Sequence, residues 1–175
     1  MSLPQPPDLA KLVIGLFTKE KQEFTEAAHD LATEFGEIEM VSPWFPFDYT
    51  SYYETEMGRP LFRRMLVFKT LVQQTDLPDI KAITNRIEIQ YTRDDKRIIN
   101  IDPGYLLLER FVLATGKNYT HRIYIGQGFY ADLTLIFQNG SFQPLPWTYP
   151  DYADPSVKTF LEKIRNRLRM ESKGK

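Results

Sequence analysis

The sequence predicts an α+β fold: a ferredoxin-like β-α-β-β-α-β core extended by a short helix, an antiparallel meander and a C-terminal helix. Three observations predict it. Segments of strand and helix character alternate in that order over residues 11–102. The later turn signals, Asn139-Gly140 foremost, are those of hairpins. The last twenty or so residues carry one apolar stripe at helical spacing.

Residues 11–18, Lys-Leu-Val-Ile-Gly-Leu-Phe-Thr, form an apolar run of the length a strand buried on both faces requires, so this strand should be central. Over residues 19–35, Phe24, Ala27, Ala28, Leu31 and Phe35 recur at helical spacing, and Gly36 supplies the stop. Alternation over residues 37–42 predicts a half-exposed strand with Ile38 and Met40 on one face. Residues 64–70 form a further apolar strand. The 18 residues between them, 43–60, show little regular pattern. A connection that long is functional or disordered, and its rings (Trp44, Phe45, Phe47, Tyr49, Tyr52, Tyr53) argue against disorder.

Asp76 is placed to cap a second helix, with Pro78 in the tolerated first turn and Ile80, Ile83, Ile87 and Tyr91 as its stripe. Residues 97–102 follow as a strand ending in the turn Asp102-Pro103-Gly104-Tyr105. Residues 106–115 read as the short helix, closed by Gly116. Residues 120–125, 129–137 and 141–145 read as the meander. Val157, Phe160, Leu161, Ile164 and Leu168 mark the final helix.

At 175 residues and 42% hydrophobic, the chain reads as a single domain over residues 1–175. A chain this size buries roughly 70% of its unfolded surface and folds without metal or disulfides. The absence of cysteine excludes disulfide scaffolds, thiolate zinc sites, iron–sulfur clusters and cysteine nucleophiles. No apolar run approaches the roughly 18 residues that span a bilayer, and no basic segment leads into a hydrophobic stretch at the N-terminus. The expected location is the cytoplasm, without membrane partners. The first 58 residues carry 3 basic against 11 acidic side chains, which argues against nucleic acid as a partner.

Several groups have the chemistry of a site. Lys81, Thr84, Asn85 and Glu88 form a polar stripe beside the isoleucines of the second helix. They could hold a polar ligand; the competing reading is a solvated flank. Asn100 and Asp102 share one strand face, and Asp102 reads as a general base or as a turn residue. Gly116-Lys117-Asn118 lacks the earlier glycine and the hydroxyl of a P-loop, because Phe111 and Asn118 occupy those positions. Pairing across Gly126-Gln127-Gly128 sets Arg122 opposite Asp132 and Tyr124 opposite Tyr130. His121 is the better acid/base candidate of the two histidines. Two aromatic segments, 45–54 with Asp48 and Tyr49, and 146–152 with Trp147 and Tyr149, could stack a ligand or simply plug loops onto the core.

The ordered segments Phe47-Asp48-Tyr49-Thr50, Glu56-Met57-Gly58, Asp79-Ile80-Lys81 with Thr84-Asn85, Asp102-Pro103-Gly104-Tyr105, His121-Arg122-Ile123-Tyr124 and Pro146-Trp147-Thr148-Tyr149-Pro150-Asp151-Tyr152 resemble a bacterial family of unknown function, domain-of-unknown-function family 4416. The resemblance implies a bacterial protein and carries no activity, cofactor or site residue.

The leading expectation is a site that binds a polar or phosphorylated small molecule and could also transform it enzymatically. Lys81, Lys117 and Arg122 would neutralise it, Asn85 and Asn100 would orient it, and Asp102, Glu88 or His121 would transfer protons. The alternative is a non-catalytic interaction or self-association module built on the aromatic loops. A third reading is RNA contact through Arg165 and Arg169. No metal ligands are assigned, and the identity of any cofactor stays open. In this fold Asp48 and Asp102 meet only if the aromatic loop lies back along the sheet.

Overall fold

The computed structural model describes residues 1–173. In chain order its elements are β1 (Ala10–Thr18), α1 (Lys21–Phe35), β2 (Ile38–Val41), β3 (Phe45–Pro46), α2 (Glu54–Met57), β4 (Phe62–Val72), a 3-10 turn (Gln74–Asp76), α3 (Leu77–Gln90), β5 (Thr92–Arg93), β6 (Lys96–Arg97), β7 (Ile99–Leu106), β8 (Arg110–Thr115), β9 (Arg122–Gly126), β10 (Phe129–Gln138), β11 (Ser141–Pro144), α4 (Pro150–Ala153) and α5 (Pro155–Lys173). The class is mixed α+β. One large antiparallel sheet runs β11-β10-β8-β7-β1-β4-β2, with β3 beside β4 and β9 beside β10. Strands β5 and β6 form a separate hairpin.

Every residue of β1 is buried, and the strand pairs antiparallel with β4 on one side and β7 on the other. Helices α1 and α3 cover one face, where Phe24, Leu31, Ile80 and Ile87 pack on Leu12, Ile14, Leu16 and Ile101. Helix α5 covers the other, seating Val157, Phe160, Leu161, Ile164 and Leu168 on Val13, Met65, Val67 and Leu135. Amphipathic stripes thus sandwich the sheet in three layers. Lys11, buried on β1, pairs with Glu171 of α5 at 3.0 Å and with Glu39 at 3.4 Å. A buried ammonium requires such partners. No helix among the described residues is long and apolar enough to cross a membrane.

The expected short helix at residues 106–115 is instead a hairpin leading into β8. Leu107 N–H donates to Arg110 C=O, so the chain reverses through Leu108-Glu109 without the Gly or Asn that normally signals such a turn. An apolar run of this length fits a strand or a helix equally well. Nor do Asp102-Pro103-Gly104-Tyr105 form a turn, because they lie inside β7. Gly104 is required there, since a Cβ would sit 2.5 Å from the Val112 carbonyl oxygen. Ile38 and Met40 do not share a face. A bulge in the β2–β4 pairing, where Ile38 meets Phe68 but Met40 meets Val67, sends Ile38 to the α1 side and Met40 to the α5 side. The segment 43–60 contains β3 and α2. Finally, Asp76 precedes α3 but does not cap it; its carboxylate accepts the Gln73 N–H of the preceding 3-10 turn.

Candidate functional site

The cavity begins with a missing hydrogen bond. The β7–β8 pairing runs from Leu106–Phe111 to Gly104–Leu113. Alternating from Leu107, the N–H of position 103 would be the next to face β8 beyond Tyr105, and Pro103 has none. The ladder stops there. The following lateral groups of β7, those of Ile101, find partners on α3 instead: Ile101 N–H donates to Glu88 Oε2 at 2.7 Å, and Lys81 Nζ donates to Ile101 C=O at 3.0 Å. Two side chains of one helix therefore satisfy a buried strand edge that β8 has left.

The gap between the parted strands opens into a cavity of 740 Å³. Its walls include Asn100 and Asp102 from β7, Leu113 to Lys117 from the end of β8, Lys81, Asn85 and Glu88 from α3, and Asp132 from β10. The aromatic loop does lie back along the sheet. Phe47 stacks on Phe17 at 4.2 Å, and Phe47, Tyr49, Tyr52 and Tyr53 close one side of the cavity. Tyr149 to Tyr152 close the other side. At the rim the Lys117 ammonium lies 4.7 Å from the Tyr52 ring, and the Tyr49 hydroxyl donates to Asp154 at 2.8 Å.

Arg63 forms the inner wall. Its guanidinium is 5.3, 4.8 and 4.7 Å from the rings of Phe17, Phe47 and Tyr152, and it pairs with Asp151 and, at 3.2 Å, with Asp102. Burial pushes the Asp151 carboxyl up; Arg63 opposes this and Asp102 adds to it. Burial likewise raises the Tyr53 and Tyr152 phenols, with negative Asp102 contributing at both, so each stays a neutral hydroxyl. Gly15 gives Tyr152 its place, because a Cβ there would sit 3.1 Å from the hydroxyl. Among the described residues, three buried atoms of these wall residues have no hydrogen-bond partner: Arg63 Nε, Asn100 Nδ2 and the Tyr152 hydroxyl. Such orphans are rare in folded proteins and cost free energy unless something occupies the space beside them.

Arg97 joins the core strands to the loop. It donates to both Glu56 oxygens, to Glu88 at 2.9 Å and to Asn100 Oδ1 at 3.1 Å. These bonds hold the Glu56 carboxyl below its usual range, against a smaller opposing effect of burial.

Of the residues singled out in the sequence, Asp102, Glu88, Lys81, Asn85, Asn100, Lys117, Tyr49 and Tyr149 line this one cavity. His121, Arg122, Asp48 and Trp147 do not. Arg122 pairs with Asp132 at 2.8 Å in the expected cross-strand register and also donates to the Tyr149 hydroxyl. His121 approaches the same Asp132 oxygen at 3.3 Å and stacks on Trp147 at 4.9 Å. Both therefore support the wall through Asp132 from behind it. Asp48 is exposed. Sequence reasoning missed Arg63 and Arg97 as site residues and reached Tyr152 and Asp151 only as members of the aromatic segment 146–152. The signal for Arg63 was present: counting by two from Met65 and Val67 puts an arginine on a core-facing position.

Among the described residues, no three His, Asp or Glu side chains gather so as to hold a metal ion. Of the proposed proton-transfer groups, Glu88 is engaged by a backbone N–H and by Arg97, whereas Asp102 is 28% exposed and meets Arg63 through Oδ2 only. Comparison with curated proteins and with solved structures gives no match. A family model does match, over residues 8–168, nearly the whole chain. The chain therefore belongs to the family described as Domain of unknown function (DUF4416).

Proposed function

We propose that this protein binds a small polar molecule in the cavity between β7 and β8, on a ferredoxin-like split βαβ core. Support for the core comes from the four strands that alternate with α1 and α3, which lie in the order β7-β1-β4-β2 and are all antiparallel. Support for binding rests on one observation above the others: Arg63, Asn100 and Tyr152 line a ring-lined cavity, and each holds a buried polar atom, Nε, Nδ2 and the hydroxyl, without a partner among the described residues. A bound polar group would satisfy them. Asp102 lines the cavity and meets Arg63 through Oδ2, which leaves its other oxygen for such a ligand, and it is the proposed acid or base should a reaction follow.

The test is a thermal-shift screen of polar metabolites, phosphorylated and not, on the wild-type chain and on Asn85→Trp. Asn85 lines the cavity and enters no hydrogen bond among the described residues, so the indole fills the space without breaking a contact. A ligand at about 100 times its Kd adds about 2.7 kcal/mol. For a chain this size that is a rise of roughly 5–11 °C. A stabilising compound whose effect disappears in Asn85→Trp supports the reading. Equal shifts in both proteins refute it.

A second reading, self-association, draws on exposed rings at the rim and at the β9 edge, namely Tyr52, Tyr119 and Tyr124. Light scattering that shows a dimer dispersed by Tyr52→Ser or Tyr124→Ser would favour it.

A further inference from the structure

We infer that the ligand is a ring bearing neighbouring hydroxyls, a sugar or the sugar of a nucleoside, held by Asp102, Asn100 and Arg63 with its flat face on the tyrosines. This rests on the reading of the cavity as a binding site and goes further by naming the chemistry.

The first argument is charge. Each buried or half-buried cation near the cavity already faces its own acceptor: Arg63 meets Asp102 and Asp151, Arg97 meets Glu56 and Glu88, Lys81 meets the Ile101 carbonyl, and Arg122 meets Asp132. Lys117, at the exposed rim, is the one lining cation among the described residues without an ion-pair partner or carbonyl. A phosphate reaching the inner wall would meet the carboxylates of Asp102 and Asp151, which already share the charge of Arg63, and of Asp132, which pairs with Arg122, and so would find no unpaired cation there among the described residues to neutralise it. The anion-neutralising roles first expected of Lys81 and Arg122 are thus filled from within the protein.

The second argument is the inventory of unused hydrogen bonds. Arg63 Nε and Asn100 Nδ2 can only donate, the second oxygen of Asp102 can only accept, and the Tyr152 hydroxyl does either. These groups are neighbours. Arg63 contacts Asp102 at 3.2 Å, the Tyr152 hydroxyl lies over Gly15 opposite Asp102, and Asn100 shares the strand face of Asp102. A hydroxyl donates one hydrogen bond while accepting others, so two adjacent hydroxyls complement a carboxylate flanked by N–H donors. Tyr49, Tyr52, Tyr53 and Tyr149 add aromatic faces for the C–H surface of a ring.

The experiment is calorimetric titration of the full chain with D-ribose, D-glucose and adenosine, alongside 2-deoxy-D-ribose, 2′,3′-dideoxyadenosine, inorganic phosphate and glycerol 3-phosphate. Expected is binding of a free sugar or of adenosine, weakened about tenfold or more when the hydroxyls are removed, because a charge-assisted hydrogen bond is lost. Asp102→Asn should weaken that probe to a similar degree. Because this variant also loosens Arg63, Asn85→Ala serves as the folded comparison, with a smaller loss and an unchanged melting temperature. Preference for free sugar over adenosine, or the reverse, identifies the source of the ring. Equal binding of the deoxy probes overturns the proposal. Binding of phosphate or glycerol 3-phosphate with none of the neutral probes also overturns it and leaves the cavity reading standing. Failure of every neutral probe overturns it outright, and a metabolite screen that also distinguishes nothing between wild type and Asn85→Trp removes the cavity reading as well.

Discussion

Replacing Glu88 by alanine separates a structural carboxylate from a catalytic one. Ile101 is fully buried, and its N–H points to the side where β8 has departed; Glu88 Oε2 is its acceptor at 2.7 Å. Truncation leaves that donor without a partner, a cost of about 1–3 kcal/mol. Arg97 loses one of its carboxylates but keeps Glu56, and at 31% exposure this adds under about 1 kcal/mol. The sum is about 1–4 kcal/mol, a fall in melting temperature of roughly 2–16 °C for a chain of this length. Glu88→Gln should cost less, since its carbonyl still accepts from Ile101 while its amide nitrogen faces the Arg97 guanidinium. Urea unfolding followed by circular dichroism gives the stability, and amide hydrogen exchange at Ile101 reads the bond itself. A loss below about 0.5 kcal/mol, within the range of ordinary surface changes, with Ile101 exchange unaltered would refute the edge-satisfying role.

Arg63→Met should destabilise the protein by about 3–5 kcal/mol at neutral pH, because it leaves Asp151 buried without its cation. Burial already raises the folded-state value of Asp151 above its unfolded one, and removing Arg63 raises it further, so the folded state takes up the proton first and the deficit shrinks as pH falls. Urea unfolding at a series of pH values checks this. Gly104→Ala should cost about 1–3 kcal/mol or prevent folding, since the new methyl meets a backbone carbonyl that cannot rotate away; a melting temperature within a degree of wild type would contradict the packing. At high pH, Tyr49 is pushed up to about 12 by burial and by its bond to Asp154, and Tyr53, Tyr91 and Tyr152 are also raised, chiefly by burial. Their contribution is complete below about pH 10, the unfolded value, and is lost as pH rises beyond it. Tyrosinate absorbance should therefore lag behind free tyrosine and then rise together with unfolding.

The parts of the fold set by periodicity were legible. The central position of β1, the buried stripes of α1, α3 and α5, and the Arg122–Asp132 pairing across the glycine turn all follow from spacing alone. The failures have a common cause. Pro103-Gly104 has the composition of a turn yet lies in a strand, and Leu108-Glu109 lacks that composition yet makes a turn, because neighbouring strands decide both. At the site, eight sequence-chosen residues share the cavity, whereas His121, the better acid/base candidate of the two histidines, stands behind Asp132. A side chain's chemistry does not report which way a strand end faces. Arg63 and Asp151 were hidden for another reason: they are 88 positions apart, and only the folded sheet brings them into contact.

One proline accounts for both the location of the cavity and its chemistry. A β7 able to donate at position 103 could carry the ladder toward β8 onward, and Ile101 would then have strand partners instead of Lys81 and Glu88. Because it cannot, two charged side chains of α3 are drawn to a strand edge, and their bonds to backbone fix them. Fixing them commits the Lys81 ammonium and one Glu88 oxygen to backbone partners. One oxygen of Asp102, Arg63 Nε, Asn100 Nδ2 and the Tyr152 hydroxyl are left without partners among the described residues, beside rings. The charges that make the sequence look suited to a phosphorylated ligand are therefore ones that already have partners inside the protein, and on the proposed reading Asp102, Asn100 and Arg63 carry the recognition.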